Sequence, residues 1–119
     1  MKKGSFYEKK AVEYLKLKGY RILERNFRSR FGEIDIIARD KDLTAFIEVK
    51  ARNSNYLVSG REAIDMRKIQ KISKTACLYA AKHQNSAFRF DVLEIIQGTE
   101  IRTYYLIKGA FDYNEKLQS

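Results

Sequence analysis

The feature that most constrains this chain is a pair of β-type runs separated by three polar residues. Gly32-Glu33-Ile34-Asp35-Ile36-Ile37-Ala38-Arg39 and Leu43-Thr44-Ala45-Phe46-Ile47-Glu48-Val49-Lys50-Ala51-Arg52 are rich in Ile, Val, Phe and Thr, and Asp40-Lys41-Asp42 reads as the turn between them. So short a connection predicts an antiparallel hairpin. Strand side chains alternate faces, so Ala45, Ile47, Val49 and Ala51 share one small apolar face. Phe46, Glu48, Lys50 and Arg52 share the other. By the same rule Ile34, Ile36 and Ala38 face one way, and Glu33, Asp35 and Ile37 face the other. Asp35, Glu48 and Lys50 can therefore meet on one side, beside Phe46 and Ile37.

Two acids and a lysine among apolar neighbours describe a partly desolvated site. Carboxylates at close range repel unless a proton or a cation relieves them. Hard oxygen donors of this kind suit Mg²⁺ or Mn²⁺. A lysine two residues beyond one ligand can hold a nucleophilic water or stabilise charge growing on a phosphate. The plain alternative is a Glu48–Lys50 ion pair on a solvated strand, worth about 0–1 kcal/mol.

Charge distribution narrows the partner. The 119 residues carry a formal net charge of +9, which is what a single domain binding nucleic acid would show. Residues 1–30 hold ten Lys and Arg against three Glu, and residues 61–82 hold six against two acids. Residues 31–60 between them hold four basic and five acidic groups. A weakly acidic centre between basic segments suits a phosphate backbone crossing a metal site. Two solvated basic helix faces are the alternative. The single cysteine, Cys77, excludes an internal disulfide and a Cys-rich zinc site. No apolar run approaches the ~20 residues that span a bilayer. Met1-Lys2-Lys3-Gly4 leads into no hydrophobic signal segment, so a cytoplasmic location is expected.

Along the chain, residues 5–18 read as a helix with Ser5 as N-cap and Gly19 just past its end. Ala11, Val12 and Leu15 form its apolar stripe, which extends back to Glu8. An acid there is either a charge favoured by the helix dipole or an inward-pointing functional group. Tyr20 to Phe27 reads as the first strand, and Arg25, Arg28 and Arg30 are candidate phosphate contacts whose alternative role is solubility. Residues 53–60 read as a polar loop in which Tyr56 could stack on a base and Ser59 could bond a phosphate. A helix is expected over residues 61–82, with Ile69, Ile72, Ala76 and Tyr79 on one side. Arg67, Lys71 and Lys74 form a basic ridge at helical spacing, joined by Lys68, that could track a backbone. Phe88 to Gln97 and Ile101 to Ile107 read as two further strands turned at Gly98-Thr99, with Asp91 expected to anchor Arg89 or a neighbouring backbone group. In the tail, Phe111 and Tyr113 are candidates to dock, and the chain from about residue 114 is expected to fray.

Asp35 followed after a gap by Glu48-Val49-Lys50 resembles the PD-(D/E)xK nuclease signature. The fuller string of Arg25-Asn26-Phe27-Arg28, Gly32-Glu33-Ile34-Asp35-Ile36-Ile37-Ala38 and Phe46-Ile47-Glu48-Val49-Lys50-Ala51-Arg52 is similar to the bacterial YraN-type family, also called UPF0102. The likeness continues through Gly60, Glu62-Ala63, Lys68, Arg89-Phe90-Asp91-Val92 and Ala110-Phe111. That family is related in fold to archaeal Holliday junction resolvases. The resemblance implies one nuclease-like domain over residues 1–119, an α/β restriction-endonuclease-like sandwich with a mixed central sheet of about five strands flanked by helices. It implies an Mg²⁺- or Mn²⁺-dependent endonuclease acting on DNA rather than RNA, branched DNA included, and a homodimer. Glu8 would join Asp35 and Glu48 as metal ligands, Lys50 would position the attacking water, and Arg52 would lie along the nucleic acid. The family pattern Gly-x-x-Gly-Glu reads here Gly4-Ser5-Phe6-Tyr7-Glu8, with Tyr7 where the second glycine stands. A nucleic-acid-binding module of the same fold with weak or no turnover is the alternative function.

Overall fold

The computed structural model describes residues 3–54, 66–83 and 87–112. In order these form α1 (Lys3–Leu17), β1 (Arg21–Arg28), β2 (Glu33–Asp40), β3 (Leu43–Asn53), α2 (Met66–His83), β4 (Phe88–Gln97) and β5 (Arg102–Phe111). The five strands form one sheet in the order β1-β2-β3-β4-β5. Neighbours run antiparallel except β3 and β4, which are parallel and joined through the segment that contains α2. This is the expected mixed α/β sandwich, a sheet with a helix packed on each face.

The alternating patterns of β2 and β3 explain the two layers. Ile36, Ala38, Ala45 and Ile47 pack against Tyr7, Ala11 and Leu15 of α1. Ile37, Phe46 and Phe90 pack against Ile72, Ala76 and Tyr79 of α2, with Phe27 and Phe46 edge-on to the Tyr79 ring. Burying each of these large side chains contributes about 1.5–3 kcal/mol. Of the stripe expected on α2, Ile72, Ala76 and Tyr79 are buried and Ile69 is half-buried.

Three local readings are corrected. Helix α1 begins by Lys3, so Ser5 lies inside it rather than capping it. Its end is as expected: Gly19 takes φ +92°, its N–H donates to the Lys16 carbonyl, and the Tyr20 N–H donates to the Leu15 carbonyl. These are the two bonds of a Schellman cap. Strand β5 runs on to Phe111, because a bulge at Gly109 (φ +64°) absorbs the irregularity opposite Asp91. Phe111 then stacks on Phe90 with ring centroids 4.9 Å apart. The third correction concerns Ile34, which packs on the α2 side with Ile37 instead of sharing a face with Ile36 and Ala38. The alternation slips by one residue at Asp35, and there the site forms. The start of the 61–82 helix, Tyr56, Ser59, Gly60, Glu62, Ala63, Tyr113 and the tail from 114 lie outside the described residues.

Candidate metal centre

The β2–β3 ladder pairs residues from Asp40↔Leu43 to Ile36↔Ile47 and stops. One step further the Asp35 carboxylate replaces a backbone carbonyl and accepts the Val49 N–H at 2.8 Å. Opposite Asp35 on β1, Asn26 sits at φ +54°, a region costly for residues other than glycine but tolerated by asparagine. The sheet therefore opens around Asp35, and charged groups reach it from both helices.

From α1 comes Glu8. One oxygen from each of Glu8, Glu33 and Asp35 lies within 4.8 Å of the other two. With its NH₂ group turned towards the acids, the Asn26 amide donates to Glu33 at 2.8 Å and to Glu8 at 2.7 Å. Glu8 thus points towards Glu33 and Asp35. From the α2 side comes Lys68, whose ammonium lies 2.7 Å from Glu48 Oε1, while Lys50 lies 3.7 Å from the same oxygen. Asp35, Glu48 and Lys50 converge as their strand positions predict. Glu48, however, is held by the two lysines and stands beside the three-carboxylate group rather than in it.

The electrostatics follow from this crowding. Burial, then the charge of Glu48, push the Asp35 carboxyl up to about 7, against the Val49 hydrogen bond that favours its ionised form. Burial and the neighbouring Lys68 depress Lys50. Burial is the largest single influence on Lys68 and lowers it, but its bonds to Glu48 and Lys50 and the charges of Glu48 and Asp35 together raise it. A raised Asp35 and a lowered Lys50 mark a site short of positive charge on one side and crowded with it on the other.

A turn and a contact set the distance between the two sides. The Ser29 N–H donates to the Gly32 carbonyl at 2.8 Å, closing the β1–β2 turn. The Thr75 hydroxyl donates to the Lys71 carbonyl at 2.9 Å, which leaves the Ser29 hydroxyl to donate to Thr75 Oγ1 at 2.8 Å. Gly32 lies so close to α2 that a Cβ there would meet the Lys71 Cβ at 3.2 Å. Between these elements opens a cleft of about 440 Å³, with Glu33, Asp35 and Glu48 on the sheet side and Arg67, Lys68 and Lys71 on α2.

The remaining basic candidates are placed unevenly. Arg67, Lys71 and Lys74 line up along α2, the first two exposed. Arg25 is exposed on β1, Arg28 pairs with Glu33 at 3.5 Å, and Arg30 lies over the Phe31 ring at 4.9 Å. Arg52 is mostly buried and bonds Glu94 at 3.3 Å. Asp91 anchors both Arg89, at 2.6 Å, and the Gly109 N–H, at 3.0 Å. Two members of the site, Glu33 and Asn26, carry no role in the sequence reading. Glu33 could have been found, since it shares the Asp35 face two residues away. Asn26 could not, because its left-handed backbone is invisible to strand periodicity.

With this geometry in hand, the relatives can be placed. The profile described as "Uncharacterised protein family UPF0102" matches residues 7–95. A UPF0102 protein of Clostridium botulinum (strain Hall) is 55% identical over 113 residues, 91% of this chain and 92% of the relative. One from Persephonella marina is 47% identical over 112 residues, 92% of this chain and 93% of the relative. The profile takes in or overlaps every element from α1 to β4 and ends before β5.

Proposed function

The chain belongs to the Uncharacterised protein family UPF0102, and for this member we propose a metal-dependent nuclease of the PD-(D/E)xK class that hydrolyses phosphodiester bonds in DNA, branched DNA included. The observation that carries the proposal is the meeting of Glu8, Glu33 and Asp35 within 4.8 Å, next to the Glu48–Lys50–Lys68 group. An all-oxygen donor set suits Mg²⁺ or Mn²⁺. Asp35, pushed up to about 7, is a carboxylate that a cation would relieve.

Glu8, Glu33 and Asp35 would hold the ion, with Glu48 able to join once released from Lys68. When bound, Mg²⁺ supplies Lewis-acid polarisation of a phosphoryl oxygen and an acidified water. Lys50 orients the attacking water and offsets negative charge on the phosphate. Lys68, Arg67 and Lys71 hold the non-bridging oxygens from the α2 side of the cleft, since the fold presents them there already spaced. A DNA substrate is consistent with a cytoplasmic location. The homodimer stays an expectation from the resolvase resemblance.

A second reading is favoured by one observation, the 2.7 Å Lys68–Glu48 pair. If that pair never opens, the molecule binds nucleic acid without turning it over. A cleavage panel separates the readings: duplex, single-stranded, flap and four-way-junction DNA, each with Mg²⁺, Mn²⁺ or chelator, beside an Asp35→Ala protein. Metal-dependent cleavage by wild type alone supports the nuclease. Binding without cleavage on every substrate rejects it. Calorimetry with Mn²⁺ should show a site that Asp35→Ala removes, and equal affinity in both proteins would end the metal proposal.

A further inference from the structure

A second cavity, of about 370 Å³, lies further along α2 and is lined by Phe27, Arg28, Ser29, Arg30, Leu78 and Lys82. Its floor is apolar, formed by Phe27 and by Leu78, which is 41% exposed. Its rim holds three exposed cations, Arg28, Arg30 and Lys82. The path from the acidic cleft to this cavity is marked by charge. Lys71 lines the cleft, Lys74 follows at 5.2 Å from the centre of the Phe31 ring, and Arg30 covers the same ring at 4.9 Å. Lys71 to Lys82 spans eleven residues of helix, about 16 Å at 1.5 Å per residue.

We propose that this cavity receives one unpaired base of a nucleic-acid strand whose backbone runs from the acidic cleft along Lys71 and Lys74 to Lys82. The inference rests on the nucleic-acid reading above and adds to it a substrate feature, a single-stranded segment. An apolar floor ringed by cations fits a group that is flat and apolar in one part and anionic in the next, which describes a nucleotide. Phe27 and Leu78 offer the base its stacking surface, and Arg28, Arg30 and Lys82 offer donors to the flanking phosphates. At about 3.4 Å per phosphate along a stacked strand, 16 Å places the base roughly four or five nucleotides from the acidic cleft. A paired base cannot enter, because its edge is held by its partner. The site therefore distinguishes frayed, flapped or branched DNA from a blunt duplex.

The chain contains no tryptophan, so Leu78→Trp installs a single emission reporter on the cavity floor. Leu78 is exposed enough for this change, and for Leu78→Ser, to leave the fold intact. Titrating the Trp protein with oligo-dT in chelator should quench its emission to saturation, whereas a blunt duplex bound through the ridge should leave it unchanged. Leu78→Ser should lose about tenfold in affinity for oligo-dT, the loss of one stacked base, with duplex affinity unaltered. If fluorescence anisotropy shows oligo-dT binding while emission stays constant, the base site is rejected and the nucleic-acid reading survives. If poly-glutamate quenches as well as oligo-dT, the cavity takes acidic chains in general and the base site is likewise rejected. If neither DNA binds at all, both readings fall.

Discussion

The two groups of buried charge on this sheet use the same residue types to opposite ends. On the α1 face, Arg89 gives Asp91 two bonds of 2.6 and 2.7 Å and reaches Asp40 at 2.8 Å. The Tyr20 hydroxyl and the Gly109 N–H complete the shell of Asp91. Each acid there has a cation, each cation an acid, and the Tyr20 hydroxyl is raised by its burial and then by Asp91. Burial works against ionised Asp40, yet the bonds from Arg89 and Lys108 win and hold it below the ordinary carboxylate range. Around Asp35 the balance is reversed. Carboxylates from α1 and β2 face one another, the ammonium groups crowd onto Glu48, and Asp35 rises while Lys50 falls. A closed network has nothing left to offer a ligand. An unbalanced one, held in place by the fold, has charge left over for a ligand to meet.

The largest expected effect tests the closed network. Arg89→Met leaves Asp91, fully buried, with its charge uncompensated. Breaking a buried pair from one side costs about 3–5 kcal/mol, read as a fall in the urea midpoint. A loss below 1 kcal/mol would mean the Asp91 group is not the structural member of the comparison. Next in size is Lys50→Ala in the Mg²⁺ cleavage assay. One preorganised donor is worth about a hundredfold or more in rate, with substrate binding nearly unchanged. An undiminished rate would reduce Lys50 to an ion-pair partner of Glu48.

The smallest effects give the clearest contrast, because the two aspartates respond to pH with opposite signs. The folded-state value of Asp35 lies above the unfolded one, so its contribution is full below about pH 4 and is lost as pH rises through about 7. In chelator, Asp35→Asn should therefore be more stable than wild type at pH 8, by on the order of 2 kcal/mol after discounting for partial exposure, and should match it at pH 4. The folded value of Asp40 is depressed, so its contribution is present above the unfolded value and lost as pH falls. Asp40→Asn should be less stable than wild type at pH 7, by about 1 kcal/mol, and the gap should close below pH 4. Parallel pH curves for the two variants would erase the distinction drawn between the regions.

Much of this arrangement was legible before folding, and the exceptions share a cause. Period-two alternation places Ile36, Ala38, Ala45, Ile47 and Phe46 on the faces they occupy, since a one-residue slip would exchange the side chains that meet α1 with those that meet α2. The hairpin likewise brings Asp35, Glu48 and Lys50 together. Ile34 defeats the rule because the ladder ends where the Asp35 side chain, not the backbone, takes the Val49 N–H. The Lys68–Glu48 bond depends on how α2 docks, and that is decided by the Ser29–Thr75 hydroxyl pair and the close approach at Gly32. The role of Asn26 hangs on one positive φ. Local periodicity sees none of these, because each is a tertiary contact or a single backbone torsion.

The cap at Gly19 has a consequence for the far end of its helix. Tyr20, immediately after the cap, is tied through its hydroxyl to Asp91 and Arg89, so the C-terminal end of α1 cannot turn about its own axis. Glu8 lies seven residues before Leu15, the last residue of the helix to be buried, at an angular setting fixed by that anchor. Each residue of an α-helix advances the setting by about 100°. Deleting one residue between Val12 and Leu15 would swing Glu8 away from Asp35 by more than a quarter turn without altering a single side chain of the site. In this protein the phase of one helix, locked at its distal end, is as much a part of the acidic centre as the carboxylates themselves.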